Sequence, residues 1–485
     1  MKIALVNLPM NERKCNRKDR QQKYGGIGNH LGLGYIGALA QAQWNEVTLF
    51  DCPNDDILLD ELLERLHQEF YDVIGITLYH TGRVMLARLL AGLRYSPFIV
   101  LGGHYASMVP QELLRSFPKI DVIVTGEGEI AFCELINKLK HKENWENIDG
   151  IAYLKEGEYI QNPKGRLVEN LDTLPFPLRN IIKGQKVTPV VASRGCNEHC
   201  IFCDVWVFQR KNCGAPFRFR SPENVASEII SLAKQGLKYF DLIDDNFLAI
   251  ESIQPGWIDT FVKLIKDAKL DIKLEINTRA DLITEEILVK LKSIGLHEVG
   301  FGAENICQRV LDYFNKNLTV DQVRKCFDII RKIGLVPGPS FIFFEPTTRK
   351  EELLENIRFL REIGMDDFSN GIPFSMYRPL VLEPSTPVYE KFKKEGKLKP
   401  YYPGYDFENE DVRLIWELIN SFRDDTIKAF NAVQDSEETI MKLIYRDMHI
   451  VENIITNIKD QEYCKNIIEQ HRHWIYNHLL EGRII

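Results

Sequence analysis

Short apolar runs alternate with helical stretches along most of this chain, and that alternation limits what it can fold into. In the front part the runs are KIALVNLP (2–9), EVTLFD (46–51), DVIGITLY (72–79), FIVLGG (98–103) and DVIVTGEGE (121–129). Between them lie helix-like segments such as LLDELLERLHQEF (58–70) and TGRVMLARLLAGLR (81–94). Apolar strands separated by helices predict a doubly wound parallel sheet buried on both faces. Such sheets bind ligands at the carboxyl ends of their strands. Here those ends read NLPMN, DCPND, TLYHT, GGHYAS and TGEGE, rich in small or polar residues.

A connector follows, with a short strand pair in KEGEYIQNPKGRL and then the Pro-rich LDTLPFPLRN. A second alternating series begins near residue 188. Its strands are TPVVASRG, YFDLIDDNF, KLEINTR, HEVGFGAEN, PSFIFFEP and IPFSMYRPL. The intervening helices, for example SPENVASEIISLAKQG (221–236) and TVDQVRKCFDIIRKIG (319–334), open on Ser or Thr and close on Gly. Such a series predicts a partial (β/α)6 barrel with its chemistry at the carboxyl ends of the strands. Leu414, Leu418 and Phe422 recur at helical spacing, so the end of the chain reads as helices. The expected fold class is α/β. A Rossmann-like sheet domain covers 1–140, a linker 141–187, the partial barrel 188–395 and a helical domain 396–485.

Charge and apolar content exclude some classes. The 485 residues carry a net charge of −8 with no dominant basic run, which argues against a nucleic-acid partner. No segment reaches the ~20 apolar residues a membrane span needs. MKIALVNLPM is too short an apolar run for a secretory leader, so a cytoplasmic protein is expected. Ten cysteines in a reducing compartment then read as thiols or ligands rather than disulfides.

Three of those cysteines, Cys196, Cys200 and Cys203, fall within SRGCNEHCIFCDVW (193–206), directly after the first barrel strand. They read in three ways. They are small buried hydrophobes. Or they are part of a zinc site, with His199 or Cys213 completing four ligands. Or three thiolates hold three irons of a four-iron cluster and leave the fourth iron open. The spacing Cys-x3-Cys-x2-Cys, with Phe202 just before the last Cys, resembles the radical S-adenosylmethionine (SAM) superfamily. The resemblance implies a [4Fe–4S] cluster on these cysteines, whose open iron chelates SAM. One electron from an external donor such as flavodoxin or ferredoxin then cleaves SAM to methionine and a 5′-deoxyadenosyl radical.

The same resemblance implies SAM contacts further along the barrel. Asp244, Asp245 and Asn246 lie in FDLIDDNF, and Glu275, Asn277 and Arg279 in LEINTRAD. Gly302 and Glu304 lie in the glycine-rich VGFGAEN. Strand alternation puts Glu275, Asn277 and Arg279 on one face, where three polar groups inside a barrel call for a ligand. On the residues alone, the two aspartates also read as caps of a strand end, and LEINTR as a solvated edge strand.

In the front domain GLGYIGALA (32–40), GGHYAS (102–107) and TGEGE (125–129) resemble the cobalamin-binding domain of cobalamin-dependent radical SAM enzymes. The resemblance spans roughly residues 1–390. It implies cobalamin contacts from Thr77, Leu78, Gly102, Gly103, His104, Gly126 and Glu127. Paired glycines at a strand end leave room for a flat group against the backbone. Cobalamin domains that ligate cobalt from below carry Asp-x-His-x-x-Gly after the first strand, but here NLPMNERKC offers no His. GLGYIG lies too far beyond the first strand to form a dinucleotide phosphate turn.

The implied activity is methyl transfer from methylcobalamin to an unactivated carbon of a small molecule, such as a natural-product intermediate. The deoxyadenosyl radical first abstracts hydrogen, and a second SAM remethylates the cobalamin. Three alternatives stay open: a cobalamin-bearing enzyme that cyclises or rearranges its substrate, a methylthiotransferase, and a non-enzymatic iron–sulfur carrier or sensor. The methylthiotransferase reading fits poorly. Cys15 and Cys52 follow the first two strands, but TLYHT has no cysteine and Cys133 falls within a helix.

Overall fold

The structure is a computed structural model that describes residues 1–10, 29–181, 187–214, 217–363, 376–377, 379–400, 402–432 and 437–480. Cys15 and Arg378, and most of IPFSMYRPL, lie outside the described residues, as does the side chain of Cys213. The chain divides into two compact units. One comprises Met1–Glu198, Cys203–Ile276 and Ser293–Gly295, and the other His199–Phe202, Asn277–Lys292 and Leu296–Ile485.

The first unit opens with β1 (Lys2–Asn7), α1 (Leu31–Ala42), β2 (Glu46–Asp51), α2 (Leu59–Glu69), β3 (Val73–Thr77), α3 (Arg83–Gly92), β4 (Phe98–Gly102), α4 (His104–Met108), β5 (Val122–Val124) and α5 (Gly128–His141). β6 (Ile151–Lys155) and β7 (Glu158–Gln161) complete a seven-stranded sheet of order β2-β1-β3-β4-β5-β6-β7. The first five strands are parallel, and β1 pairs with both β2 and β3. Successive side chains of a strand point to opposite faces. Ala4 and Val6 therefore join Leu62, Leu66, Leu86 and Leu89 of α2 and α3 in one core. Ile3 and Leu5 join Leu33 of α1 and Phe132, Leu135 and Ile136 of α5 in the other. This is the doubly wound sheet expected. The strand pair placed in the linker instead extends the sheet: β6 and β7 add antiparallel beyond β5. Their hairpin turns at Gly157, whose φ of +87° suits glycine.

The Pro-rich linker also lies against this domain. In α1 a Cβ on Gly34 would stand 2.5 Å from the carbonyl of Leu178, and the Leu178 N–H donates to the Gly34 carbonyl at 3.0 Å. The glycines of GLGYIG thus let the linker pack onto a helix. Asn180 fixes it further, donating to the Leu49 carbonyl at 2.9 Å and to Asp55 at 2.7 Å.

The barrel begins in the same unit with β8 (Thr188–Val190), β9 (Ser193–Gly195), α6 (Asp204–Val207), β10 (Phe217–Phe219), α7 (Pro222–Lys234), β11 (Tyr239–Leu242), α8 (Trp257–Asp267) and the first four residues of β12 (Lys273–Thr278). β9 and β10 form a separate antiparallel hairpin. β11 pairs in parallel with β8 and β12. α9 (Glu285–Lys292), β13 (Leu296–Glu304), α10 (Val320–Ile333), β14 (Val336–Phe341) and α11 (Lys350–Glu362) continue the alternation. The parallel sheet runs β14-β13-β12-β11-β8. A sixth strand position is marked among the described residues by one parallel bridge, Phe344 to Pro379. Caps act as the sequence predicts: Thr319 and Gln322 form a capping box on α10, and Gly334 ends it at φ +72°.

The chain continues with α12 (Glu410–Ala432), α13 (Glu437–Thr456) and α14 (Gln461–Ile475). The helical reading holds, but the buried stripe of α12 is Val412, Ile415, Ile419 and Phe422, offset by one from Leu414 and Leu418. These helices belong to the same unit as β13 and β14 rather than to a domain of their own. Their core holds a polar cluster. Buried Asp447 accepts from the Tyr377 hydroxyl and from Thr426 Oγ1 (3.1 Å), and its Oδ1 stands 2.7 Å from His471 Nε2. No helix among the described residues is long and apolar enough to cross a membrane. Removing one member of a buried polar network strands its partners. Asp447→Ala should therefore lower unfolding stability by about 3–5 kcal/mol, read as a shifted urea midpoint. An unchanged midpoint would show that the cluster contributes nothing.

Candidate cofactor site

The three cysteines lie on one loop between β9 and α6. Cys200 is buried, Cys196 and Cys203 are half-buried, and none is in a disulfide. Gly195, at φ +88°, lets the chain leave β9 sharply just before Cys196. On the hairpin Arg194 stands directly opposite Arg218. Two guanidiniums side by side repel unless anions intervene. Glu127 and Glu129 do so. Arg194 reaches Glu129 at 2.7 Å and Glu127 at 3.3 Å, and Arg218 donates to both oxygens of Glu127. Glu127, expected as a cobalamin contact, thus binds the hairpin that carries the cysteines.

The aspartates after β11 divide in role. Asp244 is buried and accepts from the backbone N–H groups of Ala192 and Ser193, closing the end of β8 as a strand cap. Burial lifts its carboxyl to about 7 despite those donors. Asp245 is lifted to about 6, again by burial, against the pull of His104 and of the Gly195 N–H. Asn246 is buried. His104, first residue of α4, lies beside the cluster loop: its ring stacks on Phe208 at 3.9 Å, and Nδ1 is 3.7 Å from Asp204 Oδ2. The histidine holds the Asp204 carboxyl below its usual range.

Within this unit a cavity of about 810 Å³ opens over the ends of β1 and β3. Asn7, Leu8, His30, Thr77 and Tyr79 line one side of it, and Pro189, Asp241 and Ile243 from the barrel line another. Asp241, which sequence reading passed over, pairs in register with Pro189 and Glu275. Burial, then the Glu275 and Asp244 charges, raise it to about 7. Nδ1 of His30 accepts the Leu33 N–H at 3.1 Å, and burial lowers its pKa to about 4. With Nδ1 accepting, the neutral ring carries its proton on Nε2 and presents a donor there.

The glycine loop leaves open space at its first glycine. A Cβ on Gly102 would meet only the Val124 carbonyl, at 3.8 Å, so there is room beside it. Gly103, at φ +98°, packs against Thr77 Oγ1. Leu78 is buried and its N–H donates to the Gly102 carbonyl, while Gly126, at φ +79°, donates to Ser107 Oγ at 3.0 Å.

Of the other expected residues, Phe202, Asn277, Arg279, Gly302 and Glu304 fall in the second unit and Glu275 in the first. Phe202 meets Phe314 edge-on, with ring centroids 4.9 Å apart. Glu304, at φ +59°, pairs with buried Lys316 at 2.7 Å. Burial pulls Lys316 down, but the negative charges of Glu304 and of a Cys200 thiolate outweigh it and hold it above its usual value. A Cβ on Gly302 would lie 2.5 Å from both charged groups, so a larger residue there would push the pair aside. Lys316 itself carried no sequence signal. Glu275 and Asn277 share one face of β12 while Leu274, Ile276 and Thr278 are buried on the other. Arg279 departs from the expected trio. β12 ends at Thr278, and the buried guanidinium donates to Asp281 and to the Lys316 and Asn317 carbonyls.

An unbridged three-cysteine loop in a strand-helix series, following a doubly wound domain with a glycine-lined strand end, is the arrangement that the radical SAM resemblance implies. Residues 190–360 match the family model of the radical SAM superfamily, and residues 18–136 that of the B12 binding domain. An uncharacterised methyltransferase of Pyrococcus horikoshii is 28% identical over 77% of this chain and 81% of its own length. An anaerobic magnesium-protoporphyrin IX monomethyl ester cyclase of Cereibacter sphaeroides is 27% identical over 75% of this chain and 60% of its own length. The structure of OxsB with aqua-cobalamin and SAM bound, a cobalamin-dependent radical SAM enzyme, overlays with a TM-score of 0.76 at 17% identity, covering 99% of this chain and 80% of that one. The chain thus carries a match to the radical SAM superfamily behind a match to the B12 binding domain.

Asp241 yields a pH test. Its folded pKa of about 7 lies above the ordinary ~3.9. The ionised form therefore weakens the fold, by an amount that is absent below pH ~4, grows up to about 7 and is constant above. Asp241→Asn should gain stability relative to the parent as pH rises through that window, seen as a larger gain in urea midpoint at pH 8 than at pH 4. An equal gain at both would contradict it.

Proposed function

We propose that the chain is a methyltransferase acting on an unactivated carbon of a small-molecule substrate. The observation that carries this is the position of the cysteine loop, whose last member is followed by Asp204, the partner of His104 beside the Gly102–Gly103 turn. Cys196, Cys200 and Cys203 would hold the cluster, and Thr77, Gly102 and Gly103 would lie against the cobalamin. When bound, the cluster with SAM supplies a carbon radical that removes a substrate hydrogen atom, and cobalamin supplies the methyl group. The chain supplies orientation and exclusion of water. Asp244 holds the end of β8 next to the cluster loop. Leu8, Leu31, Met85, Pro189 and Ile243 give the cavity apolar walls suited to a small molecule. The reductant is an external protein donor, and the unbridged cysteines suit the reducing cytoplasm.

A cyclase is the second reading, favoured by the Cereibacter relative. Methyl transfer is supported by the fuller match to the Pyrococcus methyltransferase, 81% of that relative's length against 60% of the cyclase's. The two differ in products. Anaerobic enzyme loaded with iron, sulfide and cobalamin, given reductant and SAM, should release both 5′-deoxyadenosine and S-adenosylhomocysteine. 5′-Deoxyadenosine alone would favour the cyclase. Cys200→Ala should lose most of its iron and abolish 5′-deoxyadenosine; retained cleavage would overturn the cluster assignment.

A further inference from the structure

Both ends of the cysteine loop are held by loops of the front domain. At the entrance Arg194 stands two residues before Cys196, and its guanidinium lies between Glu129 (2.7 Å) and Glu127 (3.3 Å). All four charged side chains of this group, Arg218 included, are at most 14% exposed. At the exit Asp204 follows Cys203. It faces His104 at 3.7 Å, and the His104 ring lies nearly parallel to Phe208, 17° off, at 3.9 Å.

The two grips are tied together. His104 follows Gly103 and Glu127 follows Gly126, both glycines with left-handed φ. Buried Ser107 joins their turns: its hydroxyl donates to the Gly103 carbonyl at 2.9 Å and accepts the Gly126 N–H at 3.0 Å. One side chain thus hydrogen-bonds to both turns that carry the grips. The glycines beside these grips are the ones proposed to lie against cobalamin.

We propose that His104 and Glu127 are positioning residues, which with Ser107 form one clamp that fixes the cysteine loop at a set distance from the Gly102–Gly103 turn. A buried ion-pair group is a weak source of net stability but a geometrically demanding one. A shift of about 1 Å at a reacting centre is enough to cost ~10²-fold in rate. Loosening the clamp should thus separate hydrogen abstraction from methyl transfer before it unfolds anything. This consequence rests on the methyltransferase reading above, whereas the clamp itself does not.

The test uses the full chain with His104→Ala, His104→Phe, Glu127→Gln and Ser107→Ala. In protein free of cofactors, hydrogen–deuterium exchange over residues 193–208 should rise several-fold in His104→Ala and Ser107→Ala, with β1–β3 unchanged. His104→Phe keeps a ring over Phe208 and should restore part of the protection. In the loaded enzyme the ratio of 5′-deoxyadenosine to S-adenosylhomocysteine should rise several-fold at an unchanged iron count. Parental exchange over 193–208 in His104→Ala and Ser107→Ala would overturn the clamp. So would loss of cobalt binding with parental exchange, which would make His104 a cobalamin ligand instead. If the parent releases no S-adenosylhomocysteine, the methyltransferase reading fails while the exchange data still decide the clamp. Glu127→Gln, at a buried site, carries weight only when it folds; half-exposed His104 does not share that limit.

Discussion

Arg194 is the residue on which the rest of the site depends. Its charge is nearly buried two positions before the first cluster cysteine, and such a charge is tolerated only with anions and hydrogen bonds around it. Glu127 and Glu129 supply the anions, and the Tyr35 ring lies 5.2 Å from the guanidinium. All three come from the front domain, around β5 and in α1. The hairpin β9–β10, and with it the start of the cysteine loop, therefore takes its place from the doubly wound domain. Cysteines need such support, because three thiolates close together repel until a metal neutralises them.

Much of this was legible before any coordinates. Doubly wound and barrel series both declare themselves through apolar runs, because parallel strands are buried on both faces. The cysteine spacing is local, so it survives as a pattern in the chain. What escaped notice depends on distance. Glu127 sits in a loop whose glycines suggest a ligand, yet its partner Arg218 is 91 positions away. Lys316 is an ordinary lysine in a turn until the fold brings it to Glu304. β6 and β7 looked like a connector because short antiparallel strands with charged residues resemble a surface hairpin, and only their pairing with β5 makes them part of the sheet. Arg279 was misplaced by one step. Strand alternation was carried past Thr278, where the backbone has already turned.

Titration behaviour follows the same geometry. Asp241, Asp244 and Asp245 are raised by burial, and each lies at or just beyond the carboxyl end of β11. Raised carboxyls clustered at a strand end are a common mark of a working site. They divide by hydrogen bonding: Asp244 accepts from backbone donors, whereas Asp241 lines the cavity. His30 lines that cavity too. Its ring is neutral, with Nδ1 accepting the Leu33 N–H.

The central claim is that one chain holds a four-iron cluster and cobalamin together. It is tested most directly by the absorption spectrum of anaerobically prepared protein, with iron, sulfide and cobalt counted in the same sample. Corrin bands, cobalt near one per chain and iron near four per chain are predicted, as [4Fe–4S] stoichiometry requires. Iron and sulfide without cobalt, after growth with cobalamin supplied, would contradict the claim and leave a radical SAM barrel behind a front domain that no longer binds its cofactor.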